Sequence, residues 1–142
     1  DATIADRRRE LFELLELEPG KRTVIADYSY GMQKKTALCA SLIHGPEMLL
    51  LDEPFEGIDP VTTRTIKDLL LGLNEKGTTL VLTSHALDLV ERLCPKLALI
   101  HHGKLVGHGS LDELREEHGD SESLEALFLK MLGTERAGQL SW

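Results

Sequence analysis

The chain has 142 residues, 42% of them hydrophobic, and Lys+Arg 16 against Asp+Glu 24 leaves a net charge of −8. That describes one domain or part of one, too apolar to be disordered and too acidic for broad contact with the phosphates of a nucleic acid. No apolar run approaches the roughly 18 residues of a membrane-spanning helix, and no signal peptide opens the sequence. Cys39 and Cys94 lie far apart and outside any CxxC pattern; they read as reduced, mostly buried thiols of a cytosolic protein.

Residues 3–17 are expected to form a helix. Thr3 and Asp6 make a capping box with Asp in place of Glu or Gln, and Ile4, Leu11, Leu14 and Leu15 share one side. Pro19-Gly20 is expected to end it, and Thr23-Val24-Ile25 is a short β-prone piece. Ser29 is a good N-cap for a second helix running to about His44, where Gly45-Pro46 is a strong stop. Met48-Leu49-Leu50-Leu51 is then a short apolar run, expected to be a buried strand of a parallel sheet; it ends in Asp52-Glu53, and Pro54 cannot continue a ladder. Asp59-Pro60 supplies the N-cap and first residue of a third helix whose apolar face is Ile66, Leu69, Leu70 and Leu73. Thr78 to Thr83 reads as a second buried parallel strand, with Ser84-His85 at its carboxyl end and a helix over Leu87 to Leu93. A strand at Leu97 to His101 turns at His102-Gly103 into a hairpin with Lys104 to Gly107. Ser110 and Glu113 form a full capping box for a helix to about His118, and Ser123 to Leu132 is an amphipathic helix with Leu124, Leu127, Phe128 and Met131 on one side. From Gly133 to Trp142 the sequence reads as a frayed tail.

Open α/β sheets place ligands at the carboxyl ends of their strands, where Asp52, Glu53, Ser84 and His85 all fall. On the residues alone the acidic pair serves equally to end a strand, Ser29 and Asp59 serve as plain helix caps, and a lone His is most often an ordinary surface or core residue. Their order along the chain carries more: a Ser-Tyr-Gly turn at a helix start, the apolar strand ending Asp52-Glu53, Gly57-Ile58-Asp59-Pro60 at once after it, and a β-branched strand ending Ser84-His85. Together these resemble the second half of the nucleotide-binding domain of ATP-binding cassette (ABC) proteins, over roughly Thr3 to Leu132.

The resemblance implies an α/β fold: a partial P-loop NTPase sheet of parallel strands with flanking helices, a piece of helical subdomain at the N-terminus, and a C-terminal hairpin plus helices. It divides the chain into residues 1–45 (helical, signature-bearing), 46–132 (ATPase core) and 133–142 (tail). Tyr28-Ser29-Tyr30-Gly31-Met32 matches the signature motif usually written LSGGQ, with Tyr28, Tyr30 and Met32 replacing Leu, the first Gly and Gln. By resemblance Ser29, Tyr30, Gly31 and Met32 face the nucleotide phosphate, Asp52 holds Mg²⁺, and Glu53 is the general base. Asp59 then lies in the loop that communicates across a dimer, and His85 is the switch histidine at the γ-phosphate. The Ser-x-Gly-Met form resembles the group whose ATPases serve export-type permeases.

The family's other half is not in the sequence. No G-x-x-x-x-G-K-[ST] occurs: Gly20-Lys21 and Gly103-Lys104 lack the preceding Gly and the following Ser or Thr. Gln33 and Gln139 have no Q-loop context. The chain is therefore expected to be the C-terminal portion of a longer cassette, with an unpaired apolar strand edge. The expected cofactors are ATP and Mg²⁺. The expected partners are a membrane permease and a second nucleotide-binding domain (a copy or a paralogue), with no nucleic acid, and the expected location is the cytoplasmic face of the membrane. Two rival readings are a non-transport ABC ATPase, ribosome-associated or of DNA repair, and a catalytically silent ABC-like binding module. The remaining histidines, His44, His101, His102, His108 and His118, suggest no metal set; adjacent residues of a strand point to opposite faces, so His101 and His102 are not expected to pair.

Overall fold

A computed structural model describes residues 3–17, 24–121 and 123–133. The chain divides after Ser84 into two compact units.

In the first unit, helix α1 (Ile4–Leu14) opens on the expected box, with Thr3 accepting from Asp6 N and Asp6 accepting from Thr3 N. It ends earlier than expected: Leu15 is its C-cap and Glu16 turns left-handed at φ 53, so the chain leaves the helix before Pro19-Gly20, which lies outside the described residues. Ile25–Asp27 is a 3₁₀ turn rather than a β piece, and Thr23 is not among the described residues. Helix α2 (Tyr30–Leu42) is capped by Ser29, and Gly45 at φ 69 stops the chain beyond it. Strand β1 (Met48–Asp52), helix α3 (Pro60–Glu75) and strand β2 (Thr79–Thr83) follow.

β1 and β2 pair in parallel, Met48 opposite Thr79 through Asp52 opposite Thr83. One face of this sheet is covered. Leu49 is buried, and Leu51 and Leu80 pack against a core of Leu11, Leu15, Leu38, Leu42, Ile66 and Leu70 drawn from all three helices. Each fully buried leucine or isoleucine stabilises by roughly 1.5–3 kcal/mol over leaving it in water. The other face corrects the expectation of buried strands: Met48, Leu50 (71% exposed) and Val81 are open, and Ile4 and Leu14 of α1 are also exposed. Only alternate residues of a strand reach a given layer, and within the described residues the helices supply one layer. Glu47 O and Glu53 N both bond across to β2, so by the alternation of a parallel ladder the N–H and C=O groups of Met48, Leu50 and Asp52 point to the opposite edge. Among the described residues no strand pairs there.

In the second unit, helix α4 (Leu87–Leu93) precedes strands β3 (Leu97–His101) and β4 (Lys104–Gly109). These two form an antiparallel sheet of their own, so the third strand is not an extension of the parallel sheet. His102 (φ 47) and Gly103 (φ 73) give the two left-handed residues that a two-residue hairpin needs, and a register shift at Leu99/Ile100 bends the ladder. Helices α5 (Leu111–His118), with its Ser110–Glu113 box, and α6 (Leu124–Met131), capped by Ser123, bury Leu114, Leu124 and Leu127 against Leu97 and Leu99. Glu91 of α4 accepts from Leu124 N at 3.0 Å and from Arg115 at 3.3 Å, tying the unit's helices together. No helix among the described residues is long and apolar enough to cross a membrane.

Candidate functional site

Two parallel strands of equal length ending level bring their terminal polar residues side by side. Asp52 closes β1 and Thr83 closes β2, and Thr83 Oγ1 donates to Asp52 Oδ1. Glu53 follows, half-buried, its N–H bonded to Thr83 O at 3.2 Å and its carboxylate Oε2 accepting from Ser84 Oγ at 3.2 Å. Glu53 sits at φ 44, a left-handed conformation that a side-chain-bearing residue keeps only where its surroundings enforce it. The acidic pair is thus part of a four-residue cluster at the carboxyl ends of both strands. Thr83 is the member the sequence reading passed over. The signal for it was positional: in parallel strands the residues that end the two runs are neighbours.

The start of α2 abuts the turn that follows β1. Ser29 Oγ accepts from Met32 N at 3.3 Å, which uses one of its lone pairs and leaves the hydroxyl proton to donate. The cap and a donor role are therefore compatible. The N–H groups of Tyr30 and Gly31, in the first turn, have no partner within the helix. A Cβ on Gly31 would lie 3.5 Å from Gly57 O, an ordinary contact, so the two backbones pass close to each other with room for one methyl group between them. Gly57, at φ 70, faces the Tyr30 ring so closely that a Cβ there would stand 2.5 Å from two ring carbons. The Tyr30 ring therefore rests against a residue whose left-handed backbone and close contact both disfavour a side chain. Met32 is exposed. Lys34, one turn further along α2, donates to Glu53 O at 2.5 Å, lies 3.7 Å from Glu56 and sits 5.2 Å above the Tyr30 ring. Asp59 caps α3 by accepting from Thr62 N at 2.9 Å; that bond, the Thr62 hydroxyl and the nearby Lys35 hold its carboxyl below the ordinary value.

A cleft of roughly 300 Å³ lies between α2 and β1, lined by Lys34, Leu38, Leu50, Asp52, Pro54 and Ile66 among others. Ser29–Met32, Asp52, Glu53 and Asp59 all fall in the first unit, whereas His85, which is exposed, opens the second. Among the described residues no three His, Cys, Asp or Glu side chains gather to hold a metal ion. A single carboxylate is nonetheless a fitting donor for Mg²⁺, which keeps most of its waters and takes one or two carboxylates plus substrate phosphates. Contrary to the strand-alternation expectation, the His101 and His102 rings meet at 4.0 Å, because His102 belongs to the left-handed turn and not to the strand. Both cysteines are free, Cys39 buried and Cys94 half-buried, and burial pushes the Cys39 thiol up to about 11.

Residues 2–91 match a family model described as "AAA domain, putative AbiEii toxin, Type IV TA system". A fluoroquinolones export ATP-binding protein of Mycobacterium tuberculosis is 35% identical over 134 residues, covering 87% of this chain and 44% of that protein. Among solved structures, an ATP-binding subunit of an ABC transporter superposes with a TM-score of 0.85 at 27% identity, over 91% of this chain and 54% of that one. An ATP-binding cassette solved as a dimer, in a post-hydrolysis state with ADP and Pi, gives a TM-score of 0.67 at 26% identity, over 74% of this chain and 46% of that one. The chain spans between 34% and 58% of the length of the curated relatives it matches. It belongs to the AAA-domain family, and within it corresponds to the C-terminal part of an ABC transporter nucleotide-binding domain.

Proposed function

We propose that this chain is the C-terminal part of an ATP-binding subunit that hydrolyses ATP to drive export through a membrane permease, working at the cytoplasmic face as a dimer. Residues 1–45 carry the signature, 46–132 complete the ATPase core, and 133–142 form a tail. The observation that carries the reading is the cluster at the strand ends, with Asp52 and Glu53 level with and hydrogen-bonded to Thr83 and Ser84. Asp52 is the carboxylate for Mg²⁺, which when bound would neutralise phosphate charge. Glu53 accepts the proton of the attacking water and is oriented for it by Ser84. His85 meets the γ-phosphate and Asp59 belongs to the loop facing the second subunit. Ser29, Tyr30, Gly31 and Met32 present a helix N-terminus, with its positive dipole end and free donors, to the nucleotide held by the other subunit. The export assignment draws on the Ser-x-Gly-Met signature and on the relative named for fluoroquinolone export. The dimer draws on the cassette solved with ADP and Pi.

The test is Glu53→Gln in the full-length protein. Losing the base while keeping its shape slows hydrolysis by roughly 10²–10⁴. ATP still binds, and ATP-bound dimers accumulate on size exclusion; turnover near wild type means Glu53 is not the base. A companion variant, Ser29→Arg, abolishes ATP-dependent dimers while monomer affinity for a fluorescent ATP analogue stays unchanged. If monomer affinity collapses as well, the signature acts within its own subunit.

A further inference from the structure

We propose that Lys34 is a positioning residue for Glu53, acting through the peptide that carries it; the assignment rests on the reading of Glu53 as the base. Glu53 holds a left-handed backbone at φ 44, and that conformation aims its side chain. Its peptide groups are pinned from two directions. On the amino side its N–H is bonded to Thr83 O at 3.2 Å, which belongs to β2. On the carboxyl side its C=O accepts from Lys34 Nζ at 2.5 Å, which belongs to α2, and from Glu56 N at 3.3 Å. The lysine bond is charge-assisted and part-buried, so it is the stronger of the two on that carbonyl. Lys34 is itself held: Glu56 lies 3.7 Å from its ammonium and the Tyr30 ring 5.2 Å below it. A small swing of the peptide after Glu53 moves the carboxylate out of line with a water it must deprotonate, and misplacement by an ångström is enough to cost a large factor in rate. Lys34 also stands on the same helix as Ser29, so any displacement of α2 reaches the Glu53 turn through this bond.

The test is steady-state ATP hydrolysis by the full-length protein. Lys34→Met keeps the aliphatic stem and removes the donor; kcat falls by about tenfold or more while the KM for ATP stays within about twofold. Lys34→Arg, which retains a charged donor, restores turnover to within about threefold of wild type. In the Glu53→Gln background Lys34→Met adds less than about a twofold loss, because the group it positions is already gone. Wild-type turnover in Lys34→Met, an equal loss in Lys34→Arg, or a loss that multiplies on Glu53→Gln overturns the proposal. Should Lys34→Met fail to fold, Lys34→Gln keeps a donor one bond short of the carbonyl: an intermediate kcat with unchanged KM supports the proposal, and wild-type kcat overturns it. A full effect of Glu53→Gln beside a silent Lys34→Met removes this assignment alone. Wild-type turnover in Glu53→Gln removes the base reading and this assignment with it.

Discussion

Replacing Gly57 by alanine separates backbone strain from side-chain collision at the point where α2 meets the turn after β1. Gly57 is at φ 70, and a left-handed backbone costs a residue with a Cβ roughly 1–2 kcal/mol. The new Cβ would also stand 2.5 Å from two carbons of the Tyr30 ring. That ring is 54% exposed, so it swings aside instead of forcing the backbone apart. What it gives up is the stacking of Lys34 above it, worth about 0.5 kcal/mol at an exposed site. Strain therefore outweighs collision, and the total is about 2 kcal/mol. In urea, followed by far-UV circular dichroism on the full-length protein, this lowers the midpoint by roughly 1 M with an unchanged slope. In a Tyr30→Ala background the ring contribution is absent, and Gly57→Ala still costs about 1.5 kcal/mol. If the cost vanishes in that background, the collision was the whole effect and the reasoning from φ is wrong.

The Asp59 carboxyl is held below its ordinary value by the backbone N–H of Thr62 first, and then by the Thr62 hydroxyl and Lys35. A group lowered in the folded state contributes stability above its unfolded value and loses it as pH falls through the folded one. The urea midpoint therefore drops below about pH 4, and Asp59→Asn flattens part of that drop while keeping the cap. Asp6, lowered by the side chain and then the backbone of Thr3, and Glu113, lowered by the backbone and then the side chain of Ser110, act in the same direction. A pH profile identical in Asp59→Asn and wild type refutes this. At pH 8 a thiol near 11 is thiolate in roughly one molecule per thousand, so a disulfide-exchange reagent labels half-buried Cys94 ahead of buried Cys39 in the native protein. Equal labelling rates by mass spectrometry would count against it.

What could be read from the sequence was what is settled locally. The caps at Thr3, Ser29, Asp59 and Ser110 each depend on residues three apart, and each is present; Ser123, read as the first residue of the last helix, is its cap instead. The His102-Gly103 turn was legible for the same reason. Which side of β1 would be covered was not, because a run of four apolar residues carries no alternation to say so. Nor does the pattern of Leu97 to His101 name its partner: a strand signal is the same whether the ladder is β2 or its own hairpin. In the site, the positions of Asp52 and Glu53 followed from Pro54 stopping the strand. The bonds that orient Glu53 did not, since Lys34, Thr83 and Ser84 lie 19 to 31 residues away and look unremarkable where they stand.

The outward-pointing amide and carbonyl groups of Met48, Leu50 and Asp52 bear on how a purified piece of this length behaves in a tube. A strand margin that no strand pairs among the described residues is a template on which another chain can lengthen the sheet, and here the adjoining face exposes Met48, Leu50 and Val81. The net charge of −8 slows encounters at low ionic strength, and salt removes that protection. Turbidity in such a preparation should therefore rise with salt as well as with concentration. Leu50→Lys, on the open side of the strand, is the gatekeeper that would lengthen its colloidal life.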